Sequence, residues 1–401
     1  MKKYFYLILS MALLSACADS NGADEPKTPG GDSEYADTGL GGGGGTGCDT
    51  VPGQPGVITA GEWRDLDHWL FWSNLMTNEQ PDQTGDNYFS YCLAWELFTN
   101  NRVAVRVTNA AGVPQRDVAI RLTRETGVVY EARTDNRGET NLWIGLTQKQ
   151  DAVDASSLNL VVNGQTLNQA VHVTHWGEEV VWNECTADVP ASQNIDIAFI
   201  VDATGSMMDE IDFLKQDLTN IIGQVSAQSS TANIRTAALF YRDEGDEYLT
   251  RVSDFSADLA TTASFIAQQR AEGGGDYPEA VHTALETGLQ KLSWRQDNCI
   301  RLAFMLLDAP PHSDATVIAS LHQSIPQYAK AGIRIIPVAA SGVDKSTEFF
   351  LRSTAIATDA TYVFITNDSG IGGEHIAASV GDYEVELLNE LIVRLITQYM
   401  E

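Results

Sequence analysis

Oxygen-bearing side chains recur at alternate positions in Asp202-Ala-Thr204-Gly205-Ser206-Met207, directly after the apolar run Ile195 to Val201. A carboxylate and two hydroxyls on one side of a tight turn, with Gly205 easing the bend, form the kind of hard-oxygen nest that holds a divalent cation. Two further acids stand in comparable places: Asp276 in Gly273-Gly274-Gly275-Asp276-Tyr277-Pro278-Glu279, and Asp308 directly after Leu302 to Leu307. Carboxylates and hydroxyls without nitrogen or sulfur suit Mg²⁺ or Mn²⁺, accommodate Ca²⁺ and disfavour zinc. Asp202, Thr204, Ser206, Asp276 and Asp308 are therefore the expected metal-ligating set. Asp243, closing the run Ala237 to Tyr241, either orients a water on that ion or is a solvated loop acid beside Glu244 and Asp246. Glu279 reads as a negative charge at a helix N-terminus, and His312, after Pro310-Pro311, reads as structural.

Such a nest needs strands and helices that bring separate loops to one place. From about Asn194 apolar strands alternate with amphipathic helices: strands at Ile195 to Val201, Thr236 to Tyr241, Arg301 to Leu307, Ile333 to Ala340 and Thr361 to Ile365. Met207, Ile211, Leu214, Leu218, Ile221, Ile222 and Val225 share one face of the helix after the first strand, and a last helix is expected from Tyr383 to Met400 behind Asp382. Repeated units of this length imply an α/β fold with a doubly wound, mostly parallel sheet over residues 191–401. Ligands of such sheets bind beyond the carboxyl ends of the strands, where the candidate oxygens fall.

Residues 101–185 show a different period. Apolar residues alternate at Val103-Val105-Val107, Val118-Ile120-Leu122, Leu158-Leu160-Val162 and Val171-Val173, separated by turns such as Asp135-Asn136-Arg137-Gly138. A small antiparallel β-sandwich is expected there. His172 and His175 lie beside it without a third ligand and read as surface or structural residues. Residues 57–100 contain Leu66, Trp69, Trp72 and Met76 at helical spacing, a docking helix with its connection. Residues 17–56 are acidic and Gly-rich, with Gly41 to Gly45 uninterrupted, and read as a tether. No lysine follows those glycines as a phosphate loop requires.

The whole chain of 401 residues carries 25 Lys+Arg against 54 Asp+Glu, a formal charge of −29, which argues against nucleic acid as a partner. Lys2 and Lys3 precede the apolar run Tyr4 to Leu14, too short to span a bilayer but suited to an export signal over residues 1–16. Four cysteines other than Cys17 permit two disulfides in an oxidising compartment, and the pairing Cys185–Cys299 with Cys48–Cys92 is preferred. No H-E-x-x-H, G-x-S-x-G or cysteine nucleophile with an evident base is present, which places a metal-assisted hydrolase last among the readings.

Three resemblances follow from these residues. Leu14-Ser15-Ala16-Cys17 resembles the lipobox of bacterial lipoprotein precursors, which implies acylation of Cys17 and a lipid-anchored protein of the cell envelope, at the outer membrane. The pattern from Asn109 through Pro114 to Thr134-Asp135-Asn136-x-Gly138 resembles carboxypeptidase-regulatory-like and related Ig-like domains. Asp202-x-Thr204-Gly205-Ser206 with Asp308 resembles the von Willebrand factor A family and its metal-ion-dependent adhesion site, over roughly Asn194 to Tyr399. Asp276 stands where integrin-like members have Thr, and Gly-Gly-Gly-Asp-x-Pro-Glu with Tyr241-Arg242-Asp243 looks like a hemicentin-type branch. The resemblance implies a Mg²⁺-dependent, non-enzymatic binding protein whose ion is completed by an acidic side chain of a protein partner. A scaffold subunit with a stabilising metal is the alternative.

Overall fold

The computed structural model describes residues 56–78, 87–191, 193–228 and 232–401. Strand β1 (Thr59–Trp63) and helices α1 (Trp69–Thr77) and α2 (Tyr88–Trp95) come first. Seven strands follow: β2 (Arg102–Thr108), β3 (Ala119–Arg124), β4 (Gly127–Arg133), β5 (Glu139–Trp143), β6 (Asn159–Val162), β7 (Gln165–Thr166) and β8 (Trp182–Thr186). The remainder alternates: β9 (Asn194–Asp202), α3 (Met208–Gln228), β10 (Asn233–Tyr241), β11 (Thr250–Ser256), α4 (Leu259–Ala267) and α5 (Val281–Gln290). It closes with β12 (Cys299–Leu307), α6 (Ala315–Ala331), β13 (Ile333–Ala339), α7 (Lys345–Ala357), β14 (Tyr362–Ile365), β15 (Glu386–Leu387) and α8 (Leu388–Met400).

One eight-stranded sheet runs β11-β10-β9-β12-β13-β14-β1-β15. Its strands β9, β10, β12, β13 and β14 are parallel, and helices cover both faces. Burial on two faces explains why β9 and β12 read as almost unbroken apolar runs. Strand β9 lies between β10 and β12 with Tyr241 opposite Asp202 and Leu306 opposite Val201. The chain therefore turns back at β9, and the loops after β9, β10 and β12 open at one level of one edge.

The sheet recruits a strand from an unexpected place. β1 lies in residues 57–100, expected to hold only a docking helix, yet it pairs antiparallel with β14 from Ala60↔Ile365 to Trp63↔Tyr362. On its other side it pairs with β15. The α/β unit is thus discontinuous, begun by β1 and resumed at β9, with the sandwich inserted between. Expected helix residues Trp69, Trp72 and Met76 are buried, Trp72 stacking on Phe349 of α7 at 5.8 Å.

The inserted β domain has two sheets, β5-β2-β8 and β4-β3-β6-β7. All its ladders are antiparallel but one: β2 and β8 run parallel, from Ala104↔Trp182 to Thr108↔Thr186. Val171 to Val173 form no strand; only Thr174 bridges to Arg102. His175 Nδ1 meets Asn101 Oδ1 at 2.9 Å, whereas the His172 side chain is exposed.

Three sequence expectations fail here. The final helix begins at Leu388, since the preceding residues are spent on β15, and Asp382 does not cap it. Cys185 and Cys299 are buried free thiols, not a disulfide, because Cys185 belongs to β8 of the inserted domain and Cys299 opens β12 of the other sheet. Cys92 is likewise a free thiol, donating to the Leu97 carbonyl at 3.0 Å; Cys48 and Cys17 lie outside the described residues.

Candidate metal centre

Asp202 ends β9 at the level where β10 ends on one side and β12 continues to Asp308 on the other. Its turn is fixed by the backbone: Ala203 N donates to Tyr241 O at 2.9 Å and Gly205 N to Gly273 O at 3.0 Å. A Cβ on Gly205 would lie 2.8 Å from that same Gly273 oxygen, so the close approach of the two loops requires glycine. Within the turn Asp202 Oδ1 accepts from Thr204 N at 2.9 Å and from Thr204 Oγ1 at 2.7 Å, and Thr204 Oγ1 lies 3.2 Å from Ser206 Oγ. The alternate spacing seen in the sequence thus gathers Asp202, Thr204 and Ser206. Asp308 joins them, its carboxyl held down by the Ser206 hydroxyl and pushed up more strongly by burial.

The loop of Asp276 behaves differently. Asp276 is exposed at the surface, and Gly273 and Gly274 before it turn with φ of +85° and +72°. The same loop carries Glu279 to the cluster. Glu279 is 2% exposed, its amide donates to Pro310 O at 2.9 Å, and its Oε1 would be 3.0 Å from a Cβ on Gly274. Burial first, then the charges of Asp202, Asp243 and Asp308, push the Glu279 carboxyl up to about 9. Glu279 stands directly before α5, where the sequence placed it, but is buried there. The signal in the sequence was the position of Glu279 itself, one residue after Pro278 at a loop-to-helix junction.

Asp243 is also buried, not solvated: its Oδ1 meets His312 Nε2 at 2.8 Å, tying the loop after β10 to the loop after β12. Glu210 escaped the sequence reading, and Tyr241 entered it only within the run Tyr241-Arg242-Asp243. Tyr241 is fully buried beside the cluster, and burial with the nearby Asp202 and Asp308 charges drives its phenol well above the ordinary range. Glu210, one helical turn past Ser206, is 1% exposed and accepts from Ser341 N at 3.0 Å, with His375 Nε2 at 3.3 Å.

Electrostatically the centre is short of positive charge. Burial is the largest cause and mutual repulsion the next in raising the Asp202 carboxyl, and burial dominates at Asp308. Among the described residues no Lys or Arg forms an ion pair with Asp202, Asp308 or Glu279. The nearby Arg242 spends its guanidinium on the carbonyls of Ala203, at 3.1 Å, and Arg270, at 2.9 Å. Asp202 Oδ2, Asp308 Oδ1 and Glu279 Oε2 are buried without a hydrogen-bond partner. Buried anionic oxygens that lack both donor and counter-charge are costly, and a hard divalent cation relieves both deficits. Among the described residues no three His, Cys, Asp or Glu side chains converge as a ready metal-binding group. The donor set that fits an ion is two aspartates with two hydroxyls, leaving Glu279 close by. A cleft of about 750 Å³ between β1, the Asp135–Arg137 turn and α8 contains none of these residues.

Residues 196–373 match the family model of the von Willebrand factor type A domain, and β1, β15 and α8 lie outside that match. The chain is 31% identical over 149 residues to alpha-protein kinase vwkA of Dictyostelium discoideum, covering 37% of this chain and 23% of that protein. It is 35% identical over 118 residues to putative ariadne-like RING finger protein R811 of Acanthamoeba polyphaga mimivirus, covering 29% and 11%. The chain thus spans less than a quarter of the length of either relative. A conserved hypothetical protein BatB from Bacteroides thetaiotaomicron, known from a crystal structure, aligns with TM-score 0.33 and 10% identity over 51% of this chain and 98% of its own.

Proposed function

We propose that this chain is a binding protein that captures a protein partner through a divalent ion held by Asp202, Thr204, Ser206 and Asp308, with Mg²⁺ or Mn²⁺ preferred. The supporting observation is the pair of buried, uncompensated oxygens Asp202 Oδ2 and Asp308 Oδ1 beside two hydroxyls at the carboxyl edge of the sheet. When bound, the ion supplies a local positive charge that attracts an acidic side chain of the partner. The chain's own residues do the rest. Thr204 holds one Asp202 oxygen in place and leaves the other without a partner, Gly205 keeps the turn tight, and Asp243 with His312 ties the loop after β10 to that after β12. The match to von Willebrand factor type A domains supports a binding role rather than turnover. The export signal and Cys17 place the molecule, in this reading, on a lipid anchor at the bacterial envelope.

Partner capture that disappears with EDTA and in Asp202→Ala is the expected outcome of a pull-down from envelope extracts. Capture that survives both treatments rejects metal-dependent binding and leaves the scaffold reading.

A further inference from the structure

Charge is sorted along the strands of the α/β sheet. Arginines cluster near the amino ends and are paired there: Arg235 and Arg295 hold the buried Asp196 at 2.6 and 2.7 Å, and Arg301 holds Asp117 at 2.8 Å. At the carboxyl ends the sign reverses. Exposed acids surround the oxygen cluster, among them Glu244 and Glu247 after β10, Glu272 and Asp276 before α5, and Asp344 after β13. Cations on these loops are mostly engaged. Arg242 is buried against backbone carbonyls and lies 3.9 Å from Glu247 and 3.7 Å from Glu272, Arg251 holds Glu247 at 3.2 Å, Lys345 Nζ holds Glu348 at 2.9 Å and Ser379 at 2.8 Å, and His312 holds Asp243; Arg270 is exposed.

At the middle of this ring stand three carboxylates, each more than nine-tenths buried and each with an oxygen that has no partner. An ion that offsets Asp202 and Asp308 leaves Glu244, Asp276 and Asp344 on the rim, exposed and, among the described residues, in no ion pair, so the approach to the site stays negative. An acidic side chain on an acidic or neutral surface is repelled before it reaches the ion, whereas positive charge around it cancels the ring. We propose that the rim selects a basic protein surface, on which one carboxylate destined for the ion is flanked by lysine or arginine. This rests on the metal-dependent reading above and specifies the chemistry of its partner.

Two synthetic peptides test it, each with a single central glutamate, flanked in one by lysines and in the other by aspartates. Fluorescence anisotropy with the full chain in Mg²⁺ should show the lysine-flanked peptide binding at least about tenfold more tightly, with the gap shrinking as salt rises from about 50 to about 300 mM. In Glu244→Lys/Glu272→Lys the preference should fall at least about threefold while Mg²⁺ affinity, followed by calorimetry, stays unchanged. Equal binding of the two peptides, or no measurable binding of the lysine-flanked one, overturns the proposal. Lysine-flanked binding that ignores EDTA and Asp202→Ala keeps the basic preference and defeats the metal reading instead, so the two failures are separable.

Discussion

Asp202 has one oxygen filled by Thr204 and the other empty, and Asp308 and Glu279 repeat the pattern of buried, unpaired acid. Such groups tie stability to pH in a definite direction. All three carboxyls are raised above their ordinary values, so without an ion the folded chain holds protons that the unfolded chain releases. Their contribution is present in full below the unfolded values near 4 and is lost as pH rises through the folded ones, to about 9 for Glu279. The urea midpoint of the ion-free chain should fall from about pH 5 to about pH 8, and saturating Mn²⁺ should remove that fall. Asp217, also raised by burial to about 6, adds a smaller drop of the same sign that the ion does not reverse. Asp202→Asn should raise the ion-free midpoint, because it removes a repelling charge, while abolishing stabilisation by Mn²⁺; a midpoint lowered in both conditions would contradict this. The oxygen ladder Asp202-x-Thr204-x-Ser206 was legible because its geometry is local to one turn. Glu279 was not, since which acid a triple-glycine loop turns inward depends on φ at Gly273 and Gly274, which any sequence of glycines permits.

At the scale of elements, the alternation of strands and helices from β9 to β14 was readable because buried parallel strands leave unbroken apolar runs. β1 was hidden: its Thr-Ala-Gly-Glu-Trp is short and mixed, and its place is decided by partners about 300 residues away. Register with Phe364 also explains Gly61, whose added Cβ would fall 2.7 Å from that ring. The contact between the inserted sheets and the α/β unit was equally out of reach. It centres on the buried Asp359 after α7, which accepts from Thr140 Oγ1 at 2.6 Å and Asn141 Nδ2 at 2.6 Å. Asn141 Oδ1 in turn accepts from the buried Arg102 at 2.6 Å. Asp359→Ala strands those donors and leaves Arg102 without its relayed counter-charge, at a cost of about 3–5 kcal/mol in urea unfolding. The exposed pair Arg121–Glu131 serves as the control, and Arg121→Ala should cost less than about 1 kcal/mol. Comparable losses in the two would show that the buried relay carries no special weight.

At the scale of the molecule, the α/β unit cannot be cut from what precedes it. A fragment of residues 190–401 lacks β1 and the aromatic helices that cover α7, exposing the edge of β14 and the faces of Phe349 and Phe350. It should aggregate or melt broadly, whereas residues 56–401 should unfold cooperatively by calorimetry; a cooperative 190–401 fragment would mean that β1 is dispensable. Among the described residues no helix is long and apolar enough to cross a membrane. The oxygen cluster lies at the sheet edge, braced by the loops after β9, β10 and β12. The most direct measurement is calorimetric titration of Mn²⁺ into the full chain and into Asp202→Ala. One saturable site in the first and none in the second is the predicted result; absence of binding in the unmutated chain, or equal binding in both, would contradict the account.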